Sequence, residues 1–409
     1  MISITTPVFL RIRILLSQKI RTYYKKTNAL SKGLPESEAP RIRKVDPLPF
    51  IQGLYQKQRN SHVLRPGLES DREMVYSPQR MNRVLRPLVF FYHMGSGINN
   101  FLFDHKLRKT SRIPIPVISV GNLAFGGSEK TPLVMHLLSI FKEHKMNPAV
   151  ITRGYKGKWE KSGGILSDGK KAYGTWREAG DEAFMVWRSF PDVGIFIGRN
   201  RLNSCHKARQ AGFSPLILDD GFQHRQLYRD LDIVLFIPDV RGALREPVSS
   251  LRRAHIILMK ETSRSPDPSR RNFFSSHGKI FSYAVLNKGF FSYPDGSRIS
   301  DDRLKGKRFL AVCGIARPER FFSLLKKEGL NLSLSLAFPD HHTYPLSTIN
   351  KITTAAQKKK ADGILTTEKD VFKLNRICED LKIPLYYNEI ELRIEDGFYQ
   401  ELHFLTKNT

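Results

Sequence analysis

Ile115-Pro-Val-Ile-Ser-Val-Gly-Asn-Leu-Ala-Phe-Gly-Gly-Ser-Glu-Lys-Thr-Pro132 is the stretch on which the reading of this chain turns. Val117 to Val120 is a short, apolar, β-branched run of the kind that forms a buried strand. A glycine-bearing loop follows, then Lys130-Thr131, then a helical pattern from Leu133. Strand, glycine loop, Lys-Thr and helix is the layout of a phosphate-binding loop. There, backbone N–H groups and a helix N-terminus face an anion, the lysine neutralises it and the threonine holds Mg²⁺. The candidate cradle is Asn122, Leu123, Ala124, Phe125, Gly126, Gly127, Ser128, Glu129, Lys130 and Thr131. The spelling departs from GxxxxGK[ST], which wants glycine at positions 124 and 129, where this chain has Ala124 and Glu129. A strand–turn–helix with a lysine cap is the competing reading of the loop alone.

Working outward, alternation of strands and helices continues to about residue 260. Candidate strands are 117–120, 148–152, 193–197, 215–219, 232–237 and 255–259, with helices at 131–144, 180–190 and 200–211. This order implies a parallel sheet with helices on both faces. Residues 263–305, rich in Ser, Pro, Arg and Asp, read as a linker with a small hairpin around 278–293. A smaller C-terminal α/β unit over 306–409 has strands near 308–312, 333–337, 363–366 and 384–388.

Three further clusters carry chemistry. Ser214-Pro-Leu-Ile-Leu-Asp-Asp-Gly-Phe-Gln-His224 is a buried strand ending in Asp219 and Asp220. A nucleotide enzyme keeps its magnesium-handling acid there, at the carboxyl end of a parallel strand beside the loop; read alone, Asp-Asp-Gly is a turn. Arg177-Glu-Ala-Gly-Asp-Glu182 opens a helix, so Asp181 is either a dipole-favoured cap or a general base for an acceptor hydroxyl. Phe338-Pro-Asp-His-His-Thr-Tyr344 carries adjacent histidines that point apart on most backbones, which argues against a two-histidine metal site. One of them could orient a catalytic acid; the alternative is a pair of exposed loop histidines.

Composition bounds the rest. The chain has 409 residues, 40% hydrophobic and 26% charged, enough for two domains and an ordinary core. Cys205, Cys313 and Cys378 have no CxxC spacing, which points to a reducing compartment and away from a zinc site. The balance of 67 Lys+Arg against 39 Asp+Glu gives +28, which favours nucleic acid, an acidic membrane surface or a phosphorylated substrate. Near an anionic leaflet each basic residue contributes roughly 1 kcal/mol. The first 35 residues carry Arg11, Arg13, Lys19, Arg21, Lys25, Lys26 and Lys32 and no acid. Residues 1–80 read as a basic, poorly ordered extension, by composition an organelle transit peptide or an over-long start. The 84–103 stretch is apolar at helical spacing but too polar to span a bilayer. It reads as an interface helix flanked by Arg83, Arg86, Lys106, Arg108 and Lys109, or as a core helix.

Together these segments make the chain resemble the tetraacyldisaccharide 4'-kinase family, in order and spacing from about residue 84 to 395. The matching segments are 115–123, 126–132, Ile-Thr-Arg-Gly-Tyr (151–155), Gly-Asp-Glu (180–182), Asp-Asp-Gly-Phe-Gln-His (219–224) and Arg-Asp-Leu-Asp-Ile-Val (229–234). Leu-Arg-Glu-Pro (244–247), Gly-Ile-Ala-Arg-Pro-Glu-Arg-Phe-Phe (314–322), Phe-Pro-Asp-His-His (338–342) and Thr-Glu-Lys-Asp (367–370) complete the series. The resemblance implies a P-loop kinase domain over 81–262 and a smaller C-terminal domain, with the site between them. It also implies transfer of the ATP γ-phosphate to the 4'-hydroxyl of an acylated glucosamine disaccharide 1-phosphate, giving lipid IVA. The setting it implies is the cytoplasmic face of the bacterial inner membrane, held peripherally by an anionic surface; a transit peptide would instead mean a mitochondrial address. By motif, Lys130 would hold the transferring phosphate, and Thr131 with Asp219 or Asp220 would hold Mg²⁺. Asp181 would be the base, paired with His341 or His342. Arg153 and Arg245 would steady phosphate charge, with Glu246 beside them.

The chain departs from the family in three places. Glu129 replaces the family's glycine, and an inward-pointing carboxylate there would repel phosphate. Pro238-Asp-Val-Arg-Gly-Ala243 is shorter than the family's glycine-rich loop, and residues 1–80 exceed what the family needs. Competing readings are a silenced lipid- or nucleotide-binding protein, a kinase for another glycolipid, and, ranked last for want of a recognisable module, a nucleic-acid binder. The enzyme is expected to be monomeric.

Overall fold

The computed structural model describes residues 86–402 except 125, 127–128, 238–243, 262–277, 376 and 378–382, and for 86–93 the backbone alone. The expected extension over 1–80, the cradle residues Phe125, Gly127 and Ser128 and the short 238–243 loop lie outside the described residues.

Helix α1 is Arg86–Asp104, α2 Lys130–Glu143, α3 Asp181–Ser189 and α4 Arg201–Gln210. In the C-terminal half α5 is Pro318–Lys327, α6 Leu346–Lys358 and α7 Glu368–Val371. The strands are β1 Val117–Asn122, β2 Ala149–Thr152, β3 Gly164–Asp168, β4 Gly194–Ile197, β5 Leu216–Asp219, β6 Leu231–Phe236 and β7 Ile256–Lys260. They continue with β8 Lys279–Tyr293, β9 Arg298–Ile299, β10 Arg308–Cys313, β11 Asn331–Ala337, β12 Gly363–Thr367 and β13 Leu385–Ile394.

Every residue of β1 is buried, because both faces of the strand are covered. Ile118 and Val120 pack with Leu133, Leu137 and Phe141 of α2 on one face. Val117 joins Ala149, Leu216, Leu218 and, from α4, Cys205 and Ala208 on the other. Burying each such aliphatic side chain contributes roughly 1.5–3 kcal/mol, so the period-2 split of one strand into two cores fixes its register.

The order across the sheet is β3-β4-β2-β5-β1-β6-β7-β8-β13-β12-β10-β11, with β9 pairing β8 off the path. From β4 to β8 neighbouring strands run parallel. The C-terminal β13, β12, β10 and β11 are parallel to one another. The two sets join through one long strand. Lys279–Tyr283 of β8 lies beside β7, and Tyr283–Tyr293 runs antiparallel to β13.

The expected linker over 263–305 is therefore structured wherever it is described. The expected hairpin at 278–293 is a single strand whose turn comes afterwards, at 294–297, before the short β9. Most of its residues are half-buried with no period-2 alternation, and the flanking Ser and Pro obscured it. Within the first sheet the register sets Val120 beside Asp219, so Asn122 and Asp219 project at adjacent carboxyl ends, where open sheets bind ligands.

Candidate active site

Helix α2 starts at Lys130 directly after Glu129, whose backbone is left-handed at φ 60°. Lys130 Nζ donates to Asn122 Oδ1 at 3.3 Å and lies 3.3 Å from Asp220 Oδ1. Thr131, the next residue, is buried. Arg245 Nη1 reaches both carboxylate oxygens of Asp220 at 2.6 Å, and Arg201 Nη1 donates to the Asp220 carbonyl at 2.6 Å. Burial would raise the Asp220 carboxyl, but Arg245, Lys130 and Arg201 outweigh it and hold it well below the usual range.

Asp219 is placed differently. One oxygen accepts from Thr152 Oγ1 at 3.0 Å, while the other is buried with no hydrogen-bond partner. Burial, then the negative charges of Glu182 and Asp220, push its carboxyl up to about 6. Helix α3, which carries Glu182, packs against α2, the helix that Lys130 opens.

Asp181, the first residue of α3, follows Gly180, whose φ is 88° and where a Cβ would stand 3.0 Å from the Tyr155 carbonyl. Asp181 is buried and engaged from two sides. His341 Nδ1 donates to its oxygens at 2.8 and 3.0 Å, and Lys373 Nζ donates to Oδ2 at 2.9 Å. Lys373 also donates to Asp370 Oδ1 at 3.1 Å. The outer nitrogen of the imidazole, Nε2, lies 3.3 Å from Lys369 Nζ and 3.7 Å from Asp340 Oδ2. Burial alone would raise the Asp181 carboxyl; Lys369, His341 and Lys373 together hold it well below the ordinary value.

The two histidines are thereby told apart. His341, at φ 60°, meets Asp181, whereas His342 stacks on Phe338 and lies 3.2 Å from Thr348 Oγ1. Glu129, Asp220 and His341 are three of the eight non-glycine residues with left-handed backbone among the described residues.

The remaining expected residues stand nearby. Arg153 Nε donates to Glu160 Oε1 at 2.7 Å. Glu246 pairs with Arg253 and accepts from Asn100 Nδ2 of α1 at 3.2 Å, which ties that helix to the site. Leu123 and Asn122 are buried beneath the loop, and Ala124 bridges to Leu244.

Reasoning from sequence gave no role to Arg201, Lys369, Asp370 or Lys373. The signal for the last three was present: four charges at Glu368, Lys369, Asp370 and Lys373 directly after an apolar strand.

A model of the family described as tetraacyldisaccharide-1-P 4'-kinase (LpxK) matches residues 81–406. A tetraacyldisaccharide 4'-kinase of Syntrophus aciditrophicus is 35% identical over 352 residues, covering 81% of this chain and 92% of that protein. Its counterpart in Bdellovibrio bacteriovorus is 31% identical over 338 residues, covering 79% and 98%. A crystal structure of LpxK from Aquifex aeolicus in complex with ATP superposes with a TM-score of 0.64 at 28% identity, over 79% of this chain and 98% of that one. This chain belongs to the tetraacyldisaccharide-1-P 4'-kinase family.

Proposed function

We propose that the chain transfers the γ-phosphate of ATP to the 4'-hydroxyl of a tetraacyldisaccharide 1-phosphate, a step of lipid A synthesis. The observation that carries this reading is Asp181, held between His341 and Lys373 on a helix that packs against the one opened by Lys130. Phosphoryl transfer asks a protein for position and charge neutralisation more than for covalent chemistry. Lys130 and Arg245, fixed by Asp220, present two cations to the phosphates. Asp181 accepts the proton of the attacking hydroxyl, and His341, donating through Nδ1, holds its carboxylate in place. An Asp181 of low basicity suits a loose transition state in which the proton leaves late.

Among the described residues no three His, Cys, Asp or Glu side chains gather to hold a metal by themselves. Mg²⁺ asks less of a kinase, typically one or two carboxylates plus substrate phosphates. The unpartnered buried oxygen of Asp219 fits that demand, with Thr131 as the second ligand. Asp220, taken up by Arg245 and Lys130, is better read as the residue that places those cations. The ion would neutralise charge developing on the phosphates.

Among the described residues no helix is long and apolar enough to cross a membrane. Met94, Ile98 and Phe101 of α1, together with Leu107, are exposed, with Lys106, Lys109 and Arg112 close by in sequence. Such a stripe with basic flanks would dock the protein on an anionic inner-membrane leaflet, on the side where ATP is made. The enzyme would act there as a peripheral monomer, and nucleic acid has no place in the scheme.

The test is transfer of labelled phosphate from Mg·ATP to a tetraacyldisaccharide 1-phosphate in detergent micelles. Label in the lipid is expected. ATP binding without transfer to this acceptor would favour the silenced protein or another glycolipid.

A further inference from the structure

The acidic residue before Lys130 stands beside the group that would receive a triphosphate, yet its carboxylate is not left facing it. Oε1 of Glu129 takes Lys260, at the end of β7, and Arg320 of α5; Oε2 accepts from Tyr283 of β8 at 2.9 Å. Lys260 and Tyr283 are register partners across β7 and β8, so the carboxylate closes over a preformed pair. Its side chain is 11% exposed, and Tyr283 is fully buried. One side chain thus joins the loop to both the strand that bridges the halves of the sheet and a helix of the C-terminal half.

We propose that Glu129 is a positioning residue whose carboxylate, taken up by Lys260, Tyr283 and Arg320, clasps the nucleotide loop to β7, β8 and α5. In this arrangement Lys260 and Arg320 are the compensation that lets an acid stand where the family has glycine. The proposal rests on the ATP reading of the loop. It has a consequence that a phosphate-binding role for Arg320 does not. If Arg320 serves by neutralising Glu129, its loss leaves a partly uncompensated anion that repels the nucleotide, and removing Glu129 as well removes the harm. If Arg320 instead touches phosphate, its loss weakens binding whichever residue stands at 129.

The experiment is equilibrium binding of ATP with Mg²⁺ to the full chain and to Arg320→Gln, Glu129→Gly and the double variant. Transfer to the lipid acceptor is recorded alongside. Arg320→Gln is expected to weaken ATP binding by about tenfold, with kcat at saturating ATP moving less. The double variant is expected to regain most of that loss. A double variant as weak as Arg320→Gln, or an Arg320→Gln protein that binds like wild type, overturns the clasp. Should Arg320→Gln fail to fold, Lys260→Gln is read in the same way. Wild type that binds ATP without phosphorylating the disaccharide removes the proposed reaction, while the binding cycle still decides the clasp.

Discussion

Two charged clusters border one another in this molecule, and they are assembled differently. Lys130, Asp219, Asp220, Arg201 and Arg245 all come from the first half of the sheet, at the carboxyl ends of β1 and β5 and the segments beside them. Asp181 instead meets His341 and Lys373 across 160 and 192 residues of chain, from the other half. All five residues of the first cluster lie between Lys130 and Arg245, within the first half of the sheet. The second exists only while α3 is packed against the segment carrying His341 and that carrying Lys373. In the proposed reading, phosphate binding would thus be local, and proton handling would require both halves together.

Substitutions can break that contrast. Asp181→Ala should lower kcat by about 10³-fold while ATP binding stays near normal, because the proposed base would touch the acceptor and not the nucleotide. Lys130→Ala should lower kcat by a similar order and weaken ATP binding as well. Turnover measured beside direct nucleotide binding separates the two. If Asp181→Ala lost both together, the division between a phosphate cluster and a proton cluster would be wrong.

Lys373→Met tests the second cluster through stability. It leaves Asp181 and Asp370 buried without their shared cation, at a cost of about 3–5 kcal/mol and a lowered Tm. In the wild type the depressed Asp181 carboxyl contributes stability above its unfolded value near 3.8, lost only as pH falls through its lower folded value. Without Lys373 that carboxyl rises, so the acid limb of kcat should move to higher pH. An acid limb that stays in place would show that Lys373 does not set the charge of Asp181.

The same contrast explains what could be read from the chain. Val117–Val120 and Asp219 lie on adjacent strands, Lys130-Thr131 opens the helix after the first of them, and the usual geometry of open parallel sheets is enough to bring them together. Nothing local links Asp181 to His341, so that pairing came from a family resemblance, and choosing between His341 and His342 needed the left-handed turn at 341. Lys373 escaped notice because a buried lysine looks, in sequence, like any surface charge. The strand Lys279–Tyr293 was missed since its partner, β13, lies about a hundred residues on.

The smallest expected effect separates the two neighbouring aspartates. Burial, Glu182 and Asp220 push Asp219 up to about 6, above its unfolded value of 3.8. The folded protein therefore holds this proton more tightly than the unfolded chain. The stability so gained is fully present below 3.8 and is lost as pH rises through about 6. Asn at this position never ionises, so Asp219→Asn should be more stable than wild type at pH 7.5, by on the order of 2 kcal/mol. That advantage should shrink steadily toward pH 5. Added Mg²⁺ should raise the Tm of wild type at pH 7.5 and leave Asp219→Asn unmoved, since the variant lacks the charge that the ion would neutralise. Asp220→Asn should behave in the opposite sense, losing stability at neutral pH, because its carboxylate is already matched by Arg245 and Lys130. Thermal scans of the three proteins from pH 5 to 8 would show this divergence. If Asp219→Asn and wild type instead ran parallel across that range, Asp219 would not be an uncompensated buried carboxylate, and its assignment to the metal would lose its physical basis.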